Sequence, residues 1–284
     1  MNKITDKTFD EERALYNITD TEVANCTFAG PADGESALKE CRNIVVKNCN
    51  FSLRYPFWHD VNYTIENCVM DELTRAALWY SDNGVIKDST LGGIKALREC
   101  GNTLLTDCSV NSPEFGWRCR GLEMIDCDVE SQYFLFECRD IKLKNVTMKG
   151  KYSFQYVENA VIEDCNLDTK DAFWHCRNMT VKNSVLKGEY LGWYSEGLTL
   201  INCLIIGTQP LCYCKNLKLV DCTTEKCDLA FEYSDVDATI TGHVDSIKNP
   251  KSGTITVDSV GEVISGDNVV ACNGKVITRV RKCG

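Results

Sequence analysis

The sequence predicts an all-β chain, a single-stranded right-handed parallel β-helix of about eleven nineteen-residue coils with capped ends. Three observations carry this. Two columns of small residues recur with a nineteen-residue step, apolar residues alternate between them, and Asn, Asp or Gly stands at two fixed places in every unit. The first column runs Cys41, Asp60, Ser81, Cys100, Cys119, Cys138, Val157, Cys176, Ser195, Cys214. The second runs Cys49, Cys68, Ser89, Cys108, Cys127, Val146, Cys165, Ser184, Cys203, Cys222. Such a period marks a solenoid in which each unit buries its apolar face against the next.

From Cys100 a unit reads Cys-x-Asn-Leu-x-Leu-x-Asn/Asp-Cys-x-Leu, followed by eight residues that often hold Phe-Trp or Gly-Trp. Its alternation has the period of a strand. Ile44, Ile141, Met179, Leu198 and Leu217 make one interior column. Val46, Ile65, Ile86, Leu105, Met124, Leu143, Ile162, Val181, Leu200 and Leu219 make a second, and Phe51, Met70, Leu91, Val110, Val129, Met148, Leu167, Leu186 and Ile205 a third. The first turn falls at Asn43, Asn62, Asn83, Asn102, Gly121, Asp140, Asn159, Asn178, Gly197 and Asn216, residue types that tolerate a left-handed backbone. A second bend is expected at the Asn or Asp before the second cysteine column, from Asn48 to Asp221, with its side chain bonding a neighbouring backbone group. A leucine-rich horseshoe competes on the Leu-x-Leu-x-x-Cys-x-Leu half-unit. The remainder, such as Gly188-Glu-Tyr-Leu-Gly-Trp-Tyr, is short and aromatic and favours strand.

One domain, residues 1–284, is expected, because no linker composition divides the chain. Residues 1–25 read as an opening strand or short cap, 26–243 as the repeat coils and 244–284 as a β-rich cap, with Gly30 to Glu40 as a loop inserted between the first two coils. The formal charge of −10 speaks against a nucleic-acid partner. Neither a signal peptide nor a membrane span is legible. The eighteen cysteines recur where Val and Ser replace them, so they read as space-fillers with free thiols in the reducing cytoplasm. Cys212 and Cys214 lack a Cys-x-x-Cys partner pair, and no metal or cofactor is expected.

Four segments, Gly34-Glu-Ser-Ala-Leu-Lys-Glu40, Tyr55-Pro-Phe-Trp-His59, Gly207-Thr-Gln-Pro-Leu-Cys-Tyr-Cys214 and Ser246-Ile-Lys-Asn-Pro250, resemble signature segments of a bacterial family known as domain of unknown function 3737. The resemblance spans essentially the whole chain. It implies a right-handed β-helix and transfers neither an activity nor a catalytic residue.

The candidate binding face is the aromatic strand before the first cysteine column. Two positions before that column stand Trp58, Trp79, Arg98, Trp117, Phe136, Gln155, Trp174, Trp193, Cys212 and Phe231. One position before stand His59, Tyr80, Glu99, Arg118, Glu137, Tyr156, His175, Tyr194, Tyr213 and Glu232. Straight strand alternation sends the polar column outward and the tryptophans inward. A bend before the cysteine exposes the tryptophans instead, and the sequence leaves both open. The expected ligand-binding patch is Tyr156, Trp174, His175, Trp193, Tyr194, Tyr213 and Glu232, holding a carbohydrate or another extended ligand. The rival reading is a carbohydrate-active lyase, glycosidase or isomerase with Glu137, His175 and Glu232 as catalytic candidates. In it, Glu99 and Glu137 flank Arg118, an arrangement that equally makes an ion-pair ladder. A third reading is a structural protein that self-associates. The sequence says nothing of oligomeric state.

Overall fold

The structure is a computed structural model that describes residues 1–31 and 34–279. It is a right-handed parallel β-solenoid of about fourteen turns, against the eleven expected. No helix occurs among the described residues, and hence none long and apolar enough to cross a membrane. The chain divides into two compact units, Met1–Thr147 and Met148–Gly284.

In the first unit the main wall is built from Arg42–Lys47, Val61–Glu66, Asp82–Lys87, Gly101–Thr106, Arg120–Ile125 and Arg139–Lys144. All pair in parallel, so Val46, Ile65, Ile86, Leu105, Met124 and Leu143 stack one above another and are buried. A second wall stacks Phe9, Phe28 and Phe51 with ring centroids 5.1 and 4.7 Å apart. In the second unit Ile162, Val181, Leu200 and Leu219 continue the same inward place. The remaining inward columns expected from the alternation are buried as well.

The extra turns come from the ends. Asn2–Thr5 and Thr8–Phe9 pair in parallel with Thr19–Ala24 and Thr27–Phe28, so the opening segment is already coil. Asp235–Lys248, Ser252–Ile264 and Lys275–Thr278 likewise stack in parallel, although they have lost both cysteine columns. The expected loop from Gly30 to Glu40 is also coil wall, apart from residues 32 and 33, which lie outside the described residues. Ser36, Leu38 and Glu40 donate their amides to the carbonyls of Arg54, Pro56 and Trp58, and Ala37 and Leu38 are buried.

Both Asn/Asp corners adopt the left-handed backbone, with φ from 44° at Asn102 to 58° at Asp140 in the first and from 48° at Asp88 to 55° at Asp164 in the second. The second corner departs from expectation in what its side chains do. They bond the equivalent side chain of the preceding coil instead of backbone: Asn25 Nδ2 to Asp6 Oδ1 3.2 Å, Asn48 Nδ2 to Asn25 Oδ1 3.2 Å, and Asn67 Nδ2 to Asn48 Oδ1 2.8 Å. An amide group suits this, because it donates to one coil while accepting from the other.

The small residues beside the corners do more than fill space. At several of these places the backbone amide has no backbone partner, and a buried orphan amide costs free energy. In several coils the next coil's Cys or Ser accepts it: Cys49 N–H to Cys68 Sγ at 3.4 Å, Cys68 N–H to Ser89 Oγ at 3.0 Å, Cys214 N–H to Ser234 Oγ at 2.9 Å. The same side chains donate onward to carbonyls, as Cys49 Sγ does to Lys47 at 3.1 Å and Ser89 Oγ to Lys87 at 2.6 Å. A side chain that is small, donates and accepts fits here, which accounts for the interchange of Cys and Ser. Among the described residues all seventeen cysteines carry free thiols, sixteen of them buried.

Candidate functional site

The site grows out of a third corner. The residue before the first cysteine column is left-handed in every coil from His59 (φ 62°) and Tyr80 (53°) to Tyr156 (58°), His175 (55°), Tyr194 (59°) and Tyr213 (61°). Asn tolerates this region, whereas bulky L-residues pay roughly 1–2 kcal/mol each. Aromatic stacking offsets part of that, at about 0.5–1.5 kcal/mol per ring pair.

The bend breaks alternation and settles the orientation left open by the sequence. The cysteine column and the residue three before it face inward, as Phe154, Phe173 and Leu211 do. The two residues between face outward, except for the buried Cys212. The tryptophans are therefore half-buried, and beside them His59, Tyr80, Tyr156, His175 and Tyr194 are exposed and Tyr213 is half-buried. Straight alternation, which placed these columns on opposite faces, does not hold. The indoles lie along the coil: Trp174 Nε1 donates to the Tyr190 carbonyl at 2.7 Å and Trp193 Nε1 to the Gln209 carbonyl at 2.8 Å. Each ties its coil to the next.

In the second unit the exposed column forms a continuous ring ladder. Tyr156 and His175 stack at 5.0 Å, His175 and Tyr194 at 5.1 Å, and Tyr194 and Tyr213 at 4.8 Å, with interplanar angles of 8°, 7° and 13°. Trp174 and Trp193 stack alongside at 5.5 Å. Tyr156 and Tyr194 are 48% and 46% exposed, enough for their edges to meet a ligand. Burial, with the Glu232 charge adding to it, raises the Tyr213 phenol, which stays neutral at ordinary pH.

Glu232 does not stand where the repeat put it. The amide of Gly207 reaches the carbonyl of Glu225, eighteen residues on, but that of Gln209 reaches Asp228, nineteen on. One extra residue between Glu225 and Asp228 thus displaces everything after it. Ser234 takes the cysteine place and Tyr233 the exposed place, 5.8 Å from Tyr213. Glu232 falls in the tryptophan column, paired with Lys248 at 2.9 Å, and Phe231 turns into the core. Tyr233 is the residue that sequence reasoning missed. The twenty-residue step from Cys214 to Ser234 was its available signal.

The first unit carries a related but closed arrangement. Trp58 and Trp79 stack at 5.4 Å, with Lys39 Nζ 4.2 Å over the first and the Arg98 guanidinium 5.3 Å over the second. His59 and Tyr80 stack at 5.1 Å. Glu99, Arg118 and Glu137 follow as an ion-pair run, with Arg118 3.7 Å from Glu99 and 2.7 Å from Glu137. The hydrogen bond to Glu137 raises the Arg118 guanidinium further. The catalytic candidates are thus dispersed and engaged: Glu137 with Arg118 in the first unit, and His175 between tyrosines and Glu232 on Lys248 in the second. Among the described residues no group of three or more His, Cys, Asp or Glu side chains is arranged to hold a metal ion.

Parallel coils, left-handed corners and inward columns define the class, a right-handed parallel β-helix. The chain belongs to the family described as "Protein of unknown function (DUF3737)", which matches residues 2–278. No curated protein matches it. Among solved structures it is similar to PfbA, a surface adhesin of Streptococcus pneumoniae (TM-score 0.46, 9% identity, 91% of this chain and 81% of that one). It is also similar to the A-module of the Azotobacter vinelandii mannuronan C-5 epimerase AlgE6 (TM-score 0.44, 10% identity, 97% and 89%). A third is a double mutant of the tailspike protein of E. coli bacteriophage HK620 (TM-score 0.44, 10% identity, 92% and 60%). These likenesses carry nothing about ligand or activity.

Proposed function

We propose that this protein is a binding module that holds an extended, repetitive ligand along the exposed ring ladder of its second unit. One observation carries the reading: Tyr156, His175, Tyr194 and Tyr213 repeat at 4.8 to 5.1 Å with nearly parallel rings. A polymer running along that axis meets the same chemistry at every coil, so its contacts add without reorganisation of the protein. A carbohydrate or another extended ligand is what the sequence leads one to expect. The buried free thiols support a reducing, cytoplasmic setting.

The test is retention of the protein on immobilised polymers of several chemistries, comparing wild type with Tyr194→Ala and Tyr213→Ala. Tyr194 is exposed and Tyr213 half-buried, and unchanged thermal midpoints would show that the variants fold. Loss of retention on the polymer that holds the wild type is expected. Equal retention of all three proteins would sink the proposal.

A further inference from the structure

The ladder's geometry narrows its ligand, if the binding role above holds. His175 and Tyr194 have a ring against each face, at 5.0 and 5.1 Å for the first and 5.1 and 4.8 Å for the second. Tyr213 is covered by Tyr194 on one side and by the tilted Tyr233 ring, 5.8 Å away, on the other. Ring faces, the usual platform for the apolar side of a sugar, are taken up by neighbouring rings. The outward part is a row of edges. Tyr194, Tyr213 and His175 make no side-chain hydrogen bond among the described residues, so two phenolic hydroxyls and the imidazole nitrogens are open to a ligand once per coil.

Charge narrows it again. The second unit holds 15 Lys and Arg against 17 Asp and Glu, a net of −2, whereas the first holds 16 against 24, a net of −8. Beside the ladder Lys170 and Glu189 pair at 2.7 Å, Arg177 and Glu158 at 3.8 Å, and Lys248 and Glu232 at 2.9 Å, while Lys215, two residues after Tyr213, is exposed with no ion-pair partner among the described residues. A polyanion would meet that single lysine and would have to break the other pairs to be held, and a polycation has no unpaired row of carboxylates to follow.

The repeat supplies the third limit. Neighbouring coils are one strand spacing apart, about 4.8 Å. A ligand keeping register over four coils must be straight and must present hydroxyl groups at about that interval. An extended β-1,4-linked glycan comes near this: each sugar is turned half-way round from the last, so every coil meets a hydroxyl, of alternating kind from one coil to the next. An α-1,4-linked glucan curls and leaves the row after a few residues.

We propose that His175, Tyr194 and Tyr213 read a neutral, extended β-1,4-linked glycan edge-on, through hydrogen bonds from one sugar per coil and without ring-face stacking. Titration calorimetry with cellohexaose, mannohexaose and xylohexaose tests this against maltohexaose and an oligogalacturonate. The expected result is binding of at least one of the three extended neutral oligomers, no binding of maltohexaose, and weaker binding of the oligogalacturonate. The double variant Tyr194→Phe/Tyr213→Phe keeps both rings and removes both hydroxyls. Its affinity should fall about tenfold or more, from two neutral hydrogen bonds. Retained affinity in the Phe variant, with loss in Tyr194→Ala/Tyr213→Ala, overturns edge-on reading while leaving the ladder as the site. Retained affinity in the Ala variant overturns the ladder itself. Preference for the oligogalacturonate, or no binding of any neutral oligomer, overturns the ligand class. Unchanged thermal midpoints in both variants establish that the losses are local.

Discussion

The Tyr63 hydroxyl lies 3.3 Å from the Thr103 hydroxyl, two coils and forty residues away. Gly84 stands between them in the same inward column. A Cβ on Gly84 would fall 2.0 Å from Tyr63 Cζ, so the glycine is the hole through which the tyrosine passes. Its backbone needs no left-handed freedom, and space alone selects glycine here. The Tyr63 phenol is fully buried, and burial raises it well above its ordinary value. The coil column thus stores one large side chain across three coils where its neighbours use one medium side chain each.

Substitution there should show strong coupling. Gly84→Ala forces the overlap and should cost about 1–3 kcal/mol, as overpacked cores do. Tyr63→Leu restores the residue size found elsewhere in the column but leaves the glycine's space empty. The double variant fills that space with the new methyl and should recover much of the loss. Urea unfolding of all four proteins gives the coupling energy. Additive effects would mean that the two residues do not meet.

Asp60 should make the fold prefer acid. Its side chain is fully buried in the first cysteine column, where Oδ1 accepts the Cys41 amide at 2.7 Å and Oδ2 has no partner. Burial raises its carboxyl well above the usual range, so the folded protein keeps the proton. The unfolded chain releases it near pH 3.9. The folded state therefore binds more protons above that pH, and stability falls as pH rises from about 4 toward the folded value. Asp60→Asn keeps the acceptor and removes the titration. Its thermal midpoint should exceed wild type at pH 7 and converge with it near pH 4. A constant difference across that range would show that Asp60 is ionised in the fold.

Among the described residues, thiol chemistry should separate one cysteine from sixteen. Cys272 is the half-exposed one, while burial pushes the thiols of Cys41, Cys212 and Cys227 up to about 12. Brief alkylation of native protein at pH 8, followed by peptide mapping, should label Cys272 and leave the buried set unmodified. Unfolding in denaturant without reductant should make them all reactive. Recovery of disulfide-linked peptides from the buried set would contradict free thiols.

The corner ladder should make Asn48 sensitive to the kind of substitution. Its amide donates to Asn25 and accepts from Asn67, at a backbone φ of 52°. Asn48→Ala loses both bonds and puts in the left-handed region a residue without asparagine's tolerance of it, at up to about 1–2 kcal/mol for the backbone alone. Asn48→Gly loses the same bonds without that strain and should be the milder variant. Equal denaturation midpoints for the two would remove the backbone from the explanation.

Much of the fold was legible because one physical requirement is repeated. Each coil must bury three inward residues and turn at two Asn-type corners, so Ile65 and Ile86, or Asn62 and Asn83, recur in the same places. The end coils were missed because Asp235–Lys248 and Ser252–Ile264 keep the strand pairing while losing the cysteines that marked it. The third corner was left undecided because Tyr, His, Glu and Arg carry no left-handed preference. Glu232 was misplaced because one residue inserted after Glu225 shifts everything beyond it.

The sequence by itself determined the coil length, the inward columns and the two Asn corners, since these follow from local backbone preference and from apolar periodicity. Only the tertiary structure decided that His175 and Trp174 share one outer surface, that Tyr233 follows Tyr213, and that the rings cover one another's faces. Those facts depend on a left-handed turn at bulky residues, which is held by contacts with the coils above and below. No property of the single residue encodes it.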